Sequence, residues 1–577
     1  MSTDGTRSDT PAGSPTDERA TGLEYWGPAI AVSLAMFIAV IDSTLMNVAI
    51  PAIVVDLDTS VSVVQGAIAV YSLVMAALIL PGGKLATMVG LRRLMTVTLV
   101  VYAAGTLLAA VSWNPLVLYL GWSFVEGAAA AVLLPLTFTV LVLSYEGKDR
   151  AKALGILAGV NATGAAVGPI LGGALTTYAS WRWGFALEAL VVLVTLVFVR
   201  YLPEARLGET RDRLDVQGAL LSAVGATMLV AGFLAGGTYG WLVARRPFVL
   251  GGVQLTPFGT SPAVWLIGGG LLGFALFAQH ELRVERAGGS PLLPIRILTN
   301  GRFSSGILTN MARSLVMAGF IFVIPVFLQS GVGYTAFEAG LAMLPFSLAT
   351  LVASMVTTGW REHVSPKLLI QGGIVLMAVG LLLLIPQTSL EMTLSQTVVP
   401  MVIFGLGLGL VGAQLIDITL SAVDTADSSE ASGALNATAM LGYALGTAVI
   451  GSFLLNQYYR GVVTALFSVQ GADLSVEQRN TLAIQLQSAI ETATKETQAA
   501  FLARLSPAEQ DLVAGAFDTA IVDAGQGSLL LLVLLVLLTL VASALLPREI
   551  AEPEPAPTAV ERPEDGLRGD TETAGQD

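Results

Sequence analysis

Along most of the chain, runs of apolar residues alternate with short clusters of Gly, Pro and charged residues. Each run is long enough, at about 1.5 Å per residue, to cross a hydrocarbon layer about 30 Å thick as a helix. Fourteen such spans are predicted, near 27–50, 62–82, 94–112, 115–143, 152–176, 183–201, 214–236, 262–280, 302–328, 336–359, 367–386, 396–421, 431–455 and 527–547. Helices are expected because a spanning segment in lipid must satisfy its own backbone polar groups. The pattern therefore describes an all-α polytopic membrane protein with 14 transmembrane helices.

Composition agrees with the pattern. The 577 residues are 54% hydrophobic and 12% charged, with a mean hydropathy of +0.74. Soluble domains carry roughly twice that charged fraction. The net charge of −13 is concentrated in residues 1–24, 456–526 and 548–577, and the rest of the chain is neutral. The two ends, acidic and containing Pro, Thr and Gly, read as solvated disordered tails. The charge therefore says nothing of an acidic or basic partner, and nucleic acid is not expected as one.

Lys and Arg orient the spans. One set of loops collects 16 of them, from Lys84, Arg92 and Arg93 to Arg361 and Lys367, against three (Arg182, Arg245, Arg246) in the short opposite loops. The excess of basic residues predicts cytoplasmic loops, with both termini cytoplasmic and the chain in the plasma membrane. The first apolar run is too long for the core of a cleaved signal. The segment "LSVEQRNTLAIQLQSAIETATKETQAAFLARL" in the long opposite loop, 456–526, has the period of an amphipathic helix.

Several classes of chemistry fall away. Without cysteine there is no disulfide, thiolate nucleophile or Cys-ligated zinc. The two histidines, His280 and His363, stand where apolar runs give way to charged loops and read as interfacial. No nucleophile–base cluster, metal-ligand spacing or phosphate-binding Gly-x-x-x-x-Gly-Lys-Ser/Thr occurs. An enzyme is not expected, nor a cofactor or a metal.

Other strings carry a mechanism. In "TGAAVGPILGGAL", Gly164, Gly168, Gly172 and Gly173 with Pro169 make a smooth helix face and a kink site. "DSTLMNVAIP" closes the first span with Asp42, Thr44, Asn47 and Pro51. "GGKLATMVGLRRL" joins spans two and three through Gly83, Lys84, Gly90, Arg92 and Arg93. Together these strings resemble the antiporter motif, the first-helix signature and the gating loop of the major facilitator superfamily. "SPLLPIRIL" and "QSGVGYTAFEAGLAMLP" resemble its fourteen-span drug:proton antiporter branch.

The resemblance implies a major facilitator fold of two six-helix bundles plus two inserted helices. It divides the chain into a tail (1–24), a first bundle (25–205) and inserted helices with their linker (206–300). A second bundle (301–547) includes the loop 456–526, and a tail (548–577) follows. It further implies a monomer whose partners are the lipid bilayer, a small-molecule substrate and protons. The chain departs from the family pattern in four places. Thr87 and Met88 replace an acidic and a basic residue in the gating loop. Ser123 replaces an arginine in span four, Glu126 stands where a glutamine is usual, and Glu188-Ala189-Leu190 replaces Asn-x-Pro after "WRW".

Away from the first and last few residues of the spans, five ionisable groups lie within them: Asp42, Glu126, Glu188, Arg313 and Asp417. A charge at mid-bilayer costs on the order of 3 kcal/mol or more, so each asks for a partner or a role. Asp42 and Glu126 lie about 13 and 16 Å from the outer ends of their spans. Glu188 stands about one turn inside its span and reads as interfacial. The resemblance places Asp42, Glu126, Arg313 and Asp417 on the four helices lining the central cavity. Arg313 has Glu126 and Asp417 as possible ion-pair partners. Met311, Met317, Phe320 and Phe346 read first as packing residues.

The expected function is secondary active transport: proton-coupled efflux of amphipathic or cationic small molecules by alternating access. The other transport reading is export of a lipid, fatty acid or anionic metabolite with altered or absent proton coupling.

Overall fold

The computed structural model describes residues 22–204, 214–245, 248–250, 253–254, 257–360, 364–424, 427–469, 475–492 and 503–547. Fourteen helices in it are long and apolar enough to cross a membrane. The first six are α1 (Leu23–Asp56), α2 (Val61–Val89), α3 (Leu91–Ala110), α4 (Pro115–Ser144), α5 (Gly147–Tyr178) and α6 (Arg182–Phe198). Two more, α7 (Val216–Tyr239) and α8 (Pro262–Arg286), precede the last six. Those are α9 (Gly301–Ser330), α10 (Ala336–Trp360), α11 (Pro366–Leu384), α12 (Leu394–Leu420), α13 (Ser428–Val469) and α14 (Pro507–Ser543).

Helix starts follow local chemistry. Asn114 caps α4 by accepting from the Val117 N–H, with Pro115 at the first helical position, where a missing N–H costs nothing. Thr393 with Gln396, and Ser506 with Glu509, close capping boxes on α12 and α14. A short hairpin, β1 (Val249–Leu250) with β2 (Val253–Gln254), stands in the α7–α8 loop as the only paired strands among the described residues.

Two helices outrun the bilayer. At 42 and 37 residues, α13 and α14 are about 60 and 55 Å long, near twice the hydrocarbon thickness. Much of 456–526 is thus not a loop but the continuation of these two spans. A helix between them, Val476–Thr492, packs Ala483 against Leu455, Tyr459 and Val463 of α13. The remainder of the amphipathic segment, 493–502, lies outside the described residues.

The bundles of α1–α6 and α9–α14 meet along α5 with α10, α2 with α13 and α1 with α9. The inserted pair α7–α8 packs together, and α7 rests on α2 and α13. At the end remote from the termini the halves touch at backbone distance. A Cβ on Gly173 would strike the Ala336 carbonyl, and one on Gly340 the Pro169 carbonyl. The Phe337 N–H donates to Thr177 Oγ1 (3.0 Å), Gln329 Nε2 to the Val48 carbonyl (2.9 Å) and Gln65 Nε2 to the Thr447 carbonyl (2.9 Å). Toward the termini α5 leaves this contact, and a Cβ on Gly155 or Gly159 would meet nothing. The halves are therefore sealed at the far end and part along α5 toward the terminus-bearing end.

Candidate functional site

The site starts with one acid on each of three helices. Asp42 (α1), Glu126 (α4) and Glu188 (α6) place carboxylate oxygens within 4.8 Å of one another. Their residues are 0%, 0% and 3% exposed. No Lys, Arg or His forms an ion pair with any of them among the described residues. At an effective dielectric of about 20, two unit charges 4.8 Å apart repel by about 3.5 kcal/mol. Three ionised carboxylates so placed repel one another, and protons or a cation would relieve that repulsion.

Local structure makes the cluster possible. Residues Tyr119–Glu126 of α4 form a π-helical turn, an expanded ring that resets the register of the following side chains. The α3 backbone lies directly against this turn: a Cβ on Gly105 would stand 2.7 Å from the Glu126 nitrogen, and one on Gly121 would stand 2.7 Å from the Ala109 nitrogen. Only glycine at both positions allows α4 to bring Glu126 in beside Asp42.

The chamber wall is aromatic and polar in alternation. Trp122 Nε1 donates to Asp42 Oδ1 (2.7 Å), and its ring stacks on Tyr71 at 4.9 Å. Thr106 Oγ1 donates to Glu188 Oε2 (3.2 Å). Ser123 Oγ turns away from the chamber and donates to the Ala67 carbonyl (2.8 Å). The Tyr71 hydroxyl faces Asp42, and the Tyr102 hydroxyl faces Glu126. Both hydroxyls, both Glu126 oxygens, Asp42 Oδ2 and Glu188 Oε1 are buried without a hydrogen-bond partner.

Thr44 and Asn47, also on α1, face elsewhere. They line a cavity of about 140 Å³ between the halves, with Asn161 and Pro169 of α5, Met317 of α9 and Phe346 of α10. Positions 42 and 44 differ by about 200° around a helix, so α1 separates chamber from cavity. The cavity lining is uncharged. The sequence reading placed four charges on this cavity, yet Asp42, Glu126, Arg313 and Asp417 are all absent from its walls. Asp42 and Glu126 are instead enclosed within the first bundle, and Glu188, read as interfacial, joins them.

Arg313 meets neither of its expected partners. Its Nη2 donates to Asn310 Oδ1 (3.0 Å), while Asn310 Nδ2 donates to the Leu435 carbonyl (3.2 Å). Asp417 is half-buried near the terminus-bearing end of α12. Phe320 stacks on Phe404 at 4.1 Å as core packing, whereas Met317 and Phe346 reach the cavity.

The motif glycines hold the halves and α1 together. Gly164, Gly168 and Gly172 face Val40, Thr44 and Leu45 of α1, with a Cβ on Gly172 only 3.0 Å from the Leu45 Cα. Gly173 faces the other way, onto α10. Pro51 and Pro169 lie inside their helices. Between α2 and α3, Gly90 has φ +96°, while Gly83, inside α2, is open on its Cβ side. Lys84 donates to Ser290 Oγ, and Arg92 pairs with Glu204 (2.7 Å) while Arg93 is exposed. The Thr87 side chain is outside the described residues.

Two helical bundles thus stand around an uncharged cavity, with an acidic cluster enclosed in one of them. The chain belongs to the Major Facilitator Superfamily, whose model matches residues 32–447. It is 31% identical over 423 residues to the cephamycin export protein CmcT of Amycolatopsis lactamdurans, covering 72% of this chain and 82% of that one. It is 29% identical over 452 residues to the puromycin resistance protein pur8 of Streptomyces alboniger, covering 78% and 84%. Among solved folds, a bacterial homologue of the human lysosomal transporter Spinster superposes with a TM-score of 0.60 at 14% identity, covering 91% of this chain and 98% of that chain.

Proposed function

We propose that the protein exports amphipathic small molecules, of the antibiotic or drug kind, in exchange for protons. The observation that carries the reading is the chamber of Asp42, Glu126 and Glu188, three buried acids with no base. The export and resistance proteins it is similar to support the direction and the kind of cargo.

In this reading the cavity takes the apolar body of the substrate against Met317, Ile321 and Phe346, with Thr44, Asn47 and Asn161 offering neutral hydrogen bonds. Substrate and proton do not compete for one carboxylate, because α1 stands between them. Coupling instead runs through α1, which presents Asp42 to one side and Thr44 and Asn47 to the other. Protonation of the chamber removes the charge repulsion around α1, and the rocking of one bundle against the other follows. The basic loops orient the termini to the cytoplasm and the sealed end outward, in the plasma membrane. One chain encloses the whole cavity, which supports a monomeric unit.

Proteoliposomes with a trapped pH dye test this. Addition of an ethidium-like amphipathic cation, or of puromycin, is expected to drive proton flux in the wild type and at least tenfold less in Asp42→Asn and Glu126→Gln. Substrate transport with no accompanying proton movement in the wild type sinks the reading.

A further inference from the structure

The chamber offers more oxygen than protons alone require. Asp42 Oδ2, both Glu126 oxygens, Glu188 Oε1 and the hydroxyls of Tyr71 and Tyr102 are six buried oxygens without a partner. The three carboxylates lie within 4.8 Å of one another, and the two tyrosines, 4% and 0% exposed, face Asp42 and Glu126. Oxygens on opposite sides of a calcium-sized ion, each at 2.3–2.6 Å, stand about 4.6–5.2 Å apart. A Mg²⁺ ion gives up its water reluctantly, which disfavours it in a buried site. Zinc favours nitrogen and sulfur donors, and no His or Cys stands in the cluster.

We propose that this chamber is a binding site for one dehydrated, oxygen-liganded cation of the size of Na⁺ or Ca²⁺, held by Asp42, Glu126, Glu188, Tyr71 and Tyr102. The inference rests on the reading of the chamber as the ion-loading site and names a second ion for it. The cation enters in exchange for protons, since three carboxylates can be neutralised by two protons and Na⁺ or by one proton and Ca²⁺. The sequence offers no spacing for such a site, because its acids stand far apart in the chain on three helices. The aromatic wall fixes the ligands: Trp122 holds Asp42 by one oxygen and leaves the other for the ion.

Calorimetric titration of the purified full-length protein in detergent tests the proposal, at mildly alkaline pH with choline chloride as the ionic background. Separate arms add NaCl, CaCl₂ or MgCl₂, and a pH dye in weak buffer reads released protons. One saturable site for Na⁺ or for Ca²⁺ is expected, with proton release and at least tenfold weaker binding of Mg²⁺. The arm that saturates tells the monovalent from the divalent ion. Glu126→Gln is expected to weaken binding at least tenfold. Tyr102→Phe, which removes a single oxygen and keeps the packing, is expected to weaken it several-fold.

Binding that persists unchanged in both variants places the ion elsewhere and overturns the proposal. No saturable binding and no cation-dependent rise in melting temperature, in a protein that still couples protons to substrate in proteoliposomes, overturns it and leaves the proton reading intact. Absence of both binding and coupling takes down the two together.

Discussion

Among the described residues, the first bundle buries three acids without a base, and the second holds a half-buried base without an acid. Asp42, Glu126 and Glu188 face one another behind α1, whereas Arg313 on α9 is held by the neutral Asn310. The chemical difference is between a charge that can change and one that cannot. Carboxyls gain and lose protons in the ordinary range, while a guanidinium stays charged at every biological pH. In the proposed function, the half with the carboxyls responds to the ion gradient, and the other carries a constant charge. Among the described residues no carboxylate of the first bundle pairs with Arg313, so it does not latch the two halves there.

The largest expected effect comes from Glu188. As an interfacial residue it would tolerate Glu188→Gln unchanged. As the third chamber acid it should lose at least tenfold in proton-coupled transport, measured by dye efflux under an imposed pH gradient. Transport at wild-type rate would remove Glu188 from the chamber's work and weaken the contrast between halves.

Next is the glycine face that fixes α1. A Cβ at Gly172 would lie 3.0 Å from Leu45 Cα, so Gly172→Ala must shift α1 from α5. Overpacking of this kind costs about 1–3 kcal/mol, seen as a fall of about 1–3 °C in melting temperature for a chain of this size. The same change at Gly155, where nothing is near, should leave the melting temperature alone.

Arg313 gives a smaller and opposite outcome. A half-buried charge within a span, held only by neutral groups among the described residues, is costly in the membrane, so Arg313→Gln should leave stability equal or slightly raised. Proton release by the chamber should persist in that variant. If Arg313→Gln abolished proton release, the division of labour between the halves would fail.

An effect on stability alone belongs to the inserted pair, outside the chamber. Asp215 caps α7 and accepts from His280 Nε2 of α8 (2.9 Å). Burial works against the Asp215 charge, but the Gly218 N–H and His280 outweigh it and hold the carboxyl below its ordinary value. A lowered carboxyl stabilises the fold above the unfolded value of about 3.9 and loses that contribution as pH falls through the folded value. His280→Ala should cost up to about 1 kcal/mol at neutral pH and flatten the acid limb of the melting curve against pH.

Much of this was readable in the chain, for stated physical reasons. Apolar length revealed all fourteen spans, and the Asn114-Pro115 start of α4 is visible as a cap. The extensions of α13 and α14 were hidden because helix outside lipid need not be apolar, although Ser506-Pro507 with Glu509 is a legible start. Asp42 and Glu126 stood out as lone charges in apolar runs. Glu188 did not, since depth along a span says nothing of which face of the helix a residue occupies, and its face turns into the bundle. Tyr71 and Tyr102 looked like ordinary core residues, and the π-helical turn that aims Glu126 has no sequence sign beyond Gly105 and Gly121.

The central claim is that the ion-exchanging charge of this transporter sits in the first bundle. Proton release from the purified protein on adding a transported substrate, read by a pH dye in weak buffer, tests it most directly. The account predicts release in the wild type and in Arg313→Gln, and none in Glu126→Gln. Wild-type release from Glu126→Gln and Glu188→Gln alike, with release lost in Arg313→Gln, would contradict it.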